Sequence, residues 1–211
     1  MSQNNSSRLD FKFYPQAIFI VLLALALYVI GNFVIPHFAH HHISFIVKLT
    51  EHFQSFLLLF MAYLTFRHAQ KVKFSRDKFY FWLWTISWWI LIFGRGISWG
   101  RDFYPEVPRF YYKIIASILI AIPILFMFLP VIRKEIKRRY LHEKIPFWFI
   151  FLAFLFLGLS DVAEHNRIGH DLLVLNRHGD DLIEEFMEIP CFLGLAFMAL
   201  YLQKNELKAT K

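Results

Sequence analysis

The last apolar segment of the chain begins with four acidic residues at helical spacing. Asp181, Glu184, Glu185 and Glu188 stand at positions i, i+3, i+4 and i+7, so an α-helix places all four on one face. A carboxylate inside the hydrocarbon of a membrane costs at least about 2.5–3.5 kcal/mol. The spacing therefore predicts carboxyl groups that bind protons or a ligand, with a charged collar held by arginine and histidine partners as the alternative.

A second set of acids lies at the end of the preceding apolar segment. Asp161, Glu164 and His165 again follow helical spacing, and Glu51 lies about one turn into the second apolar segment. We expect three helices to bring these carboxylates to the same membrane depth, where protons, cations or arginines must stabilise them. Carboxylates together with imidazole suit zinc, iron, manganese or nickel. A divalent metal ion is thus the cofactor that the sequence suggests, with these ligands: Glu164, His165, Glu185 and Glu188.

The segment from Arg95 to Arg101 supplies the matching positive charge. Its two arginines enclose two glycines and Ser98, which belongs to the same set of candidate ligand-binding residues. A planar guanidinium group suits two-point pairing with a carboxylate, so we predict that these arginines tune the charge of the acids. The alternative is a helix end that packs closely through its glycines and is anchored by Trp99.

The same segment resembles a motif of the type Arg-Glu-x-Ser-Trp-Gly-Arg from small uncharacterised multi-pass proteins of the bacterial inner membrane. The match consists of Arg95 and the run Ser98–Arg101, while Gly96 stands where the motif has its acid. The resemblance covers only a small part of the chain. It implies a bacterial inner-membrane protein and no particular activity.

The composition points to a membrane and away from nucleic acid. Hydrophobic side chains make up 57% of the 211 residues, against about 45–50% in a typical soluble domain, so the excess is expected to face lipid. The net charge of +7 comes from basic residues that flank apolar runs, without any nucleic-acid-binding motif. The single cysteine, Cys191, excludes an intramolecular disulfide framework and a cysteine-based metal site.

These elements predict an all-α membrane protein, a bundle of about six transmembrane helices. Crossing the hydrocarbon takes about twenty apolar residues, and the transmembrane domain is expected at residues 16–202, between an N-terminal tail at 1–15 and a C-terminal tail at 203–211. The six predicted spans are Gln16–Ile35, Phe45–Phe66, Phe79–Gly96, Phe110–Ile132, Ile145–Ser160 and Leu182–Leu202. The fifth is short, and its helix is expected to continue through Asp161–His165.

The basic residues predict the orientation of this bundle. Sixteen of the 23 lysines and arginines fall in the two tails and in the second and fourth loops, and basic loops remain on the cytoplasmic side. Both termini are therefore expected in the cytoplasm. The candidate acids lie near the opposite surface, so the predicted site faces outward.

Three functions are consistent with these features. The first is a small transporter-like or sensor-like protein whose outward-facing carboxylate, histidine and arginine site binds protons or a divalent metal. The second is a membrane-embedded enzyme that acts on a lipid or lipid-linked headgroup. The third is a non-catalytic accessory subunit whose charged residues fix helix order. The bilayer is the expected partner in each, and a homo-oligomer or a further membrane protein stays open.

Overall fold

The computed structural model describes residues 9–38, 40–101, 103–175 and 179–209. Parts of the two predicted tails, residues 1–8, 210 and 211, lie outside this range. The predicted all-α class is confirmed, with one pair of two-residue strands beside the helices. In chain order the elements are β1 (Leu9–Asp10), α1 (Pro15–Val29), a π-helical turn (Ile30–Val34), α2 (Ile35–Phe38), a 3₁₀ turn (His40–His42), α3 (Ile43–Lys71), α4 (Arg76–Gly96), a second 3₁₀ turn (Ser98–Gly100), α5 (Arg109–Met127), α6 (Pro130–His142), β2 (Ile145–Pro146), α7 (Phe147–Glu164), α8 (His170–Leu173) and α9 (Asp180–Ala209).

Within the described residues, five helical segments are long and apolar enough to cross a membrane. They are Pro15–His37, Ile43–Lys71, Arg109–Met127, Phe147–Glu164 and Asp180–Lys208. The predicted extension of the fifth span is confirmed in substance, because α7 ends at Glu164. The last helix also continues through the predicted C-terminal tail, where Gln203 and Glu206 are buried.

The third predicted span, Phe79–Gly96, forms most of α4 but is not among these five. Four of the chain's six tryptophans lie in this helix, together with Arg95. Indole rings combine an apolar body with a polar N–H, and the charged arginine lowers the apolar character further. The length of α4 is nevertheless similar to that of the other spans.

The fourth predicted span, Phe110–Ile132, is wrong at its C-terminal end. Helix α5 stops at Met127, and Pro130 begins α6, so that Ile132 belongs to a different helix. Proline lacks the N–H needed to continue a helix and disfavours helical backbone in the residue before it, and Leu129 is accordingly extended. The basic segment that was expected to be a loop is therefore a helix as far as His142.

The chain divides into two compact units. The terminal unit comprises Leu9–His52 and Ile145–Lys211, and the middle unit comprises Phe53–Lys144. In the terminal unit, α9 packs against both α1 and α7. The approach of α7 to α9 is close at Gly194, where an added Cβ would lie 2.9 Å from the Phe149 carbonyl oxygen and 3.1 Å from the Ala153 Cβ.

A short parallel strand pair joins the two sequence segments of the terminal unit. Leu9 pairs with Ile145, and the indole Nε1 of Trp148 donates a hydrogen bond to the Phe11 carbonyl oxygen at 3.0 Å. The Tyr14 hydroxyl donates to Asp10 Oδ2 at 2.6 Å. Burial raises the pKa of the Tyr14 phenol above its ordinary value, and this hydrogen bond raises it further. The phenol therefore remains a donor at neutral pH.

In the middle unit, tryptophans of α4 tie the neighbouring helices together. Trp89 Nε1 donates to Thr65 Oγ1 at 3.2 Å, and Trp84 Nε1 donates to the Pro123 carbonyl oxygen at 2.9 Å. These contacts satisfy the polar end of each indole while its rings stay packed. Helix α4 thus lies against α3 on one side and against α5 on another.

Candidate functional site

The two units divide the predicted site residues between them. Arg95, Ser98 and Arg101 belong to the middle unit. The carboxylates and the histidine belong to the terminal unit, on α3, α7, α9 and the residue that follows α7: Glu51, Asp161, Glu164, His165, Asp181, Glu184, Glu185 and Glu188. The predicted influence of the two arginines on the acids stays a prediction.

At the C-terminal end of α7 the structure brings three predicted residues together. His165 Nδ1 lies 3.4 Å from Asp161 Oδ1 and 3.5 Å from Glu164 Oε2. Asp161 also accepts two contacts from Arg167, at 2.9 Å from Nε to Oδ2 and 3.0 Å from Nη2 to Oδ1. Arg167 is a partner of Asp161 that was not among the predicted site residues. The end of α7 thus carries a charged cluster of acids, histidine and arginine, while the charged collar predicted as the alternative for the stripe of α9 stays a prediction.

The acidic stripe of α9 runs from the surface into the unit. Asp181 is exposed, Glu184 and Glu185 are half-buried, and only 8% of Glu188 is accessible. Glu188 lies two turns from Asp181 within the candidate span Asp180–Lys208. Burial thus increases step by step along one helical face. Glu188 is the member of the stripe that is removed from water.

The predicted metal site is not supported. Among residues 9–38, 40–101, 103–175 and 179–209, no three histidine, cysteine, aspartate or glutamate side chains are grouped closely enough to hold a metal ion. Glu164, His165, Glu185 and Glu188 all lie in these ranges. Glu164 and His165 end a different helix from the one that carries the two deeper glutamates, and His165 is directed toward the carboxylates of its own helix.

A buried amide of the π-helical turn holds the segment that connects α7 to α9. Asn32 is buried in the π-helical turn, and its Nδ2 donates to the carbonyl oxygens of Tyr28 at 3.2 Å and Leu173 at 3.1 Å. Its Oδ1 accepts from the Leu175 amide at 2.8 Å. The wide turn of a π-helix is often found at functional sites, and here it directs an amide toward the connecting segment. The sequence signal for Asn32 is an amide side chain near the end of a long apolar run.

A histidine of this connecting segment also contacts the start of α9. His170 Nε2 lies 3.4 Å from Asp180 Oδ1, and both atoms are shielded from solvent. Asp180 and Asp181 occupy the first turn of α9, where the positive end of the helix dipole favours negative charge. His170 thus contacts the first turn of α9, where the acidic stripe begins.

In the middle unit, the Arg95–Arg101 segment forms a tight helix end. Ser98, Trp99 and Gly100 have positive φ angles of 48°, 60° and 95°, which turn the chain back on itself. A Cβ added at Gly94 would lie 2.8 Å from Trp99 Cζ3, so the indole covers this glycine directly. This packing supports the alternative interpretation of the segment, a helix end anchored by Trp99. Arg95 and Arg101 are exposed within the unit.

No protein-family model, curated protein or solved structure matches this chain. The resemblance of Arg95–Arg101 to a bacterial membrane-protein motif therefore stays a prediction. Inferences about function rest on the residues and their geometry.

The middle unit contains a buried ion network that the sequence analysis missed. The Glu135 side chain is only 2% accessible. Its carboxylate accepts hydrogen bonds from Arg138 Nε at 2.7 Å, from Arg138 Nη2 at 2.6 Å and from Arg139 Nε at 2.9 Å. Glu143 contacts the same arginines at 2.8 and 3.2 Å. The hydrogen bonds to Glu135 raise the pKa of Arg138 above its ordinary value. Arg138 therefore stays charged at neutral pH.

Aromatic rings of α4 enclose one end of this network. The Arg139 guanidinium lies 4.2 Å from the ring centre of Phe81 and 5.0 Å from that of Trp82, within cation–π range. The imidazole ring of His68 packs edge-on against Trp82, with 4.8 Å between the two ring centres. The sequence signal is the helical spacing of Glu135, Arg138, Arg139 and Glu143. The sequence analysis used this segment only as a charged loop that indicates orientation.

Proposed function

We propose that this chain is a small proton-binding protein of the bacterial inner membrane, transporter-like or sensor-like, whose acidic stripe on α9 takes up protons. The observation that carries the proposal is the graded burial from the exposed Asp181 to Glu188 within a candidate span. An ionisable residue at such a position is costly to keep and is a functional candidate by default. The stripe offers successive carboxyl groups through which a proton can reach Glu188 from the surface.

A proton fits this stripe better than a metal ion does. A carboxylate that is removed from water has an unfavourable desolvation free energy, which protonation removes. Protonation also needs no second ligand at a fixed distance. A divalent cation needs several ligands around one point, and the described residues provide no such group. The proton is therefore the ligand that we assign to Glu188.

Replacing Glu188 with glutamine tests the proposal, because the amide keeps the shape of the side chain and cannot take up a proton. In the parent protein, we expect the infrared absorption of protonated carboxyl groups to change with pH in detergent-purified samples. The Glu188→Gln variant should lose one carboxyl group from this change and keep its elution volume in size-exclusion chromatography. The measurement is the pH-dependent infrared difference spectrum.

Glu206→Gln is the matched control, because Glu206 is a second buried glutamate on the same helix, only 5% accessible and four turns or more from the stripe. The Glu188 component should persist in this variant. An unchanged spectrum in Glu188→Gln would exclude Glu188 as the proton site. A Glu188→Gln protein that no longer folds would instead favour the accessory subunit, in which the stripe fixes helix order.

We further propose that α4 is a sixth span, so that both termini lie in the cytoplasm. Its 21 residues measure about 30 Å at the α-helical rise per residue. The indole N–H groups of Trp84 and Trp89 donate to protein acceptors, as polar groups inside hydrocarbon must. The distribution of basic residues supports the cytoplasmic location of the termini. With only five spans, the two termini would lie on opposite sides.

Labelling of single cysteines tests this topology. In a Cys191→Ser background, we expect Phe103→Cys to react with a membrane-impermeant maleimide on intact cells, whereas Ser75→Cys and Lys208→Cys react only after permeabilisation. Ser75 and Phe103 lie just outside the two ends of α4. Labelling of both from the same side would contradict the sixth span.

A further inference from the structure

A groove lies in the middle unit where α5 is followed by α6. It has a volume of about 690 Å³, and its apolar wall is formed by Ile124, Met127 and Phe128 with Ile136 of α6. Arg133 and Lys137 line the same groove from α6. An apolar wall beside two cationic groups matches an amphiphile with an acyl chain and an anionic head.

The position of the groove along the span supports a lipid as its occupant. Helix α5 is a candidate span that ends at Met127, so the groove lies where the hydrocarbon of a bilayer gives way to headgroups. The apolar residues around it are open, with Met127 and Phe128 exposed. Acyl chains of the adjacent leaflet therefore have direct access to the groove.

The two basic residues of the groove are available for an anion. Arg133 and Lys137 are exposed and separated by one helical turn, and within the described residues neither makes an ion pair. The carboxylates of α6 and its C-terminal end are engaged elsewhere, because Glu135 and Glu143 bind Arg138 and Arg139. Among the residues that the structure describes, the groove thus carries two positive charges without a counter-ion.

We infer that this groove binds one anionic phospholipid, with its phosphate between Arg133 and Lys137 and an acyl chain along Ile124, Met127 and Ile136. Arginine and lysine are the usual binders of phosphate. Each basic side chain near an anionic lipid surface increases binding by about fivefold. The inference is independent of the proton site on α9, which lies in the other unit.

Quenching by brominated lipids tests the inference on the full chain. A bimane fluorophore is placed at Met127→Cys in a Cys191→Ser background, and the protein is reconstituted in phosphatidylcholine vesicles. Brominated phosphatidylglycerol should reach half-maximal quenching at a mole fraction about 25-fold lower than brominated phosphatidylcholine, at about fivefold for each of the two basic residues. A fluorophore at the exposed Phe154 of α7, placed in the same way, should show no preference between the two lipids.

Charge variants separate a specific site from general attraction. The double change Arg133→Gln and Lys137→Gln should bring the two quenching curves together. The control Lys134→Gln with Lys144→Gln removes the same charge from outside the groove and should keep the preference. Equal quenching by both lipids in the parent, or an equal loss in the control, would overturn the inference. Protection from both lipids together with a dimeric mass would overturn it in favour of a second protein copy.

Discussion

Replacing Glu135 with leucine should lower the stability of the middle unit by about 3–5 kcal/mol, the usual cost of removing one partner from a buried ion pair. The side chain is 2% accessible and binds both Arg138 and Arg139. Arg139 is itself 5% accessible, so the change leaves a buried guanidinium with Glu143 and two aromatic rings as its neighbours. The measurement is the unfolding midpoint in detergent from near-ultraviolet circular dichroism, since five of the six tryptophans lie in this unit.

Lys134→Gln is the control for this prediction. It removes an ion pair to Asp77 at 3.2 Å in which the lysine side chain is 77% exposed, and such pairs contribute about 1 kcal/mol or less. The double change Glu135→Leu with Arg139→Met should recover part of the loss, because it also removes the buried guanidinium that Glu135 binds in the parent. Similar midpoints for Glu135→Leu and Lys134→Gln would show that Glu135 is not a buried structural ion.

Replacing Gly194 with alanine should destabilise the terminal unit by roughly 1–3 kcal/mol, the range for overpacking a close-packed interior. The added Cβ would meet the Phe149 carbonyl oxygen at 2.9 Å and the Ala153 amide nitrogen at 3.2 Å. Both are backbone atoms, so a side-chain rotation cannot relieve the contact and α7 must move away from α9. The expected result is a lower temperature of half-maximal loss of the size-exclusion peak.

Gly158→Ala provides the same substitution on α7 without the clash, because no atom lies within 4 Å of the added Cβ. This variant should be at least as stable as the parent, since alanine favours helix by about 1 kcal/mol relative to glycine. A stable Gly194→Ala protein would contradict the close approach of α7 and α9 at this position.

The local features of the fold were predictable where one segment determines them. The length and apolar character of the runs predicted five of the spans, and the 3.6-residue period predicted that Asp181 and Glu188 share a face. The error at Pro130 has a local cause, since an apolar run was followed past a residue that ends helices. Hydropathy does not mark this boundary, whereas the backbone chemistry of proline does.

The remaining features depend on partners that are distant in sequence. Arg139 is buried because Phe81 and Trp82 of α4 cover it, and Asn32 is satisfied by backbone atoms near Leu173. The number of basic residues in α6 is the same whether the segment is a loop or a helix. Their charge therefore indicated the orientation of the chain in the membrane, but it did not indicate the buried ion network. The packing of α9 also determines which acid of the stripe is buried, and this packing cannot be seen in the sequence.

The division of the chain has a consequence for its synthesis in the cell. The two segments of the terminal unit are separated by the roughly ninety residues of the middle unit. At ribosomal rates of about 5–20 residues per second, α1 waits on the order of 5 to 20 s before α7 begins to emerge, and longer for α9. During this interval the buried amide of Asn32 lacks its partners near Leu173. The order of synthesis therefore leaves α1 without α7 and α9, the helices that it packs against, until both have been made.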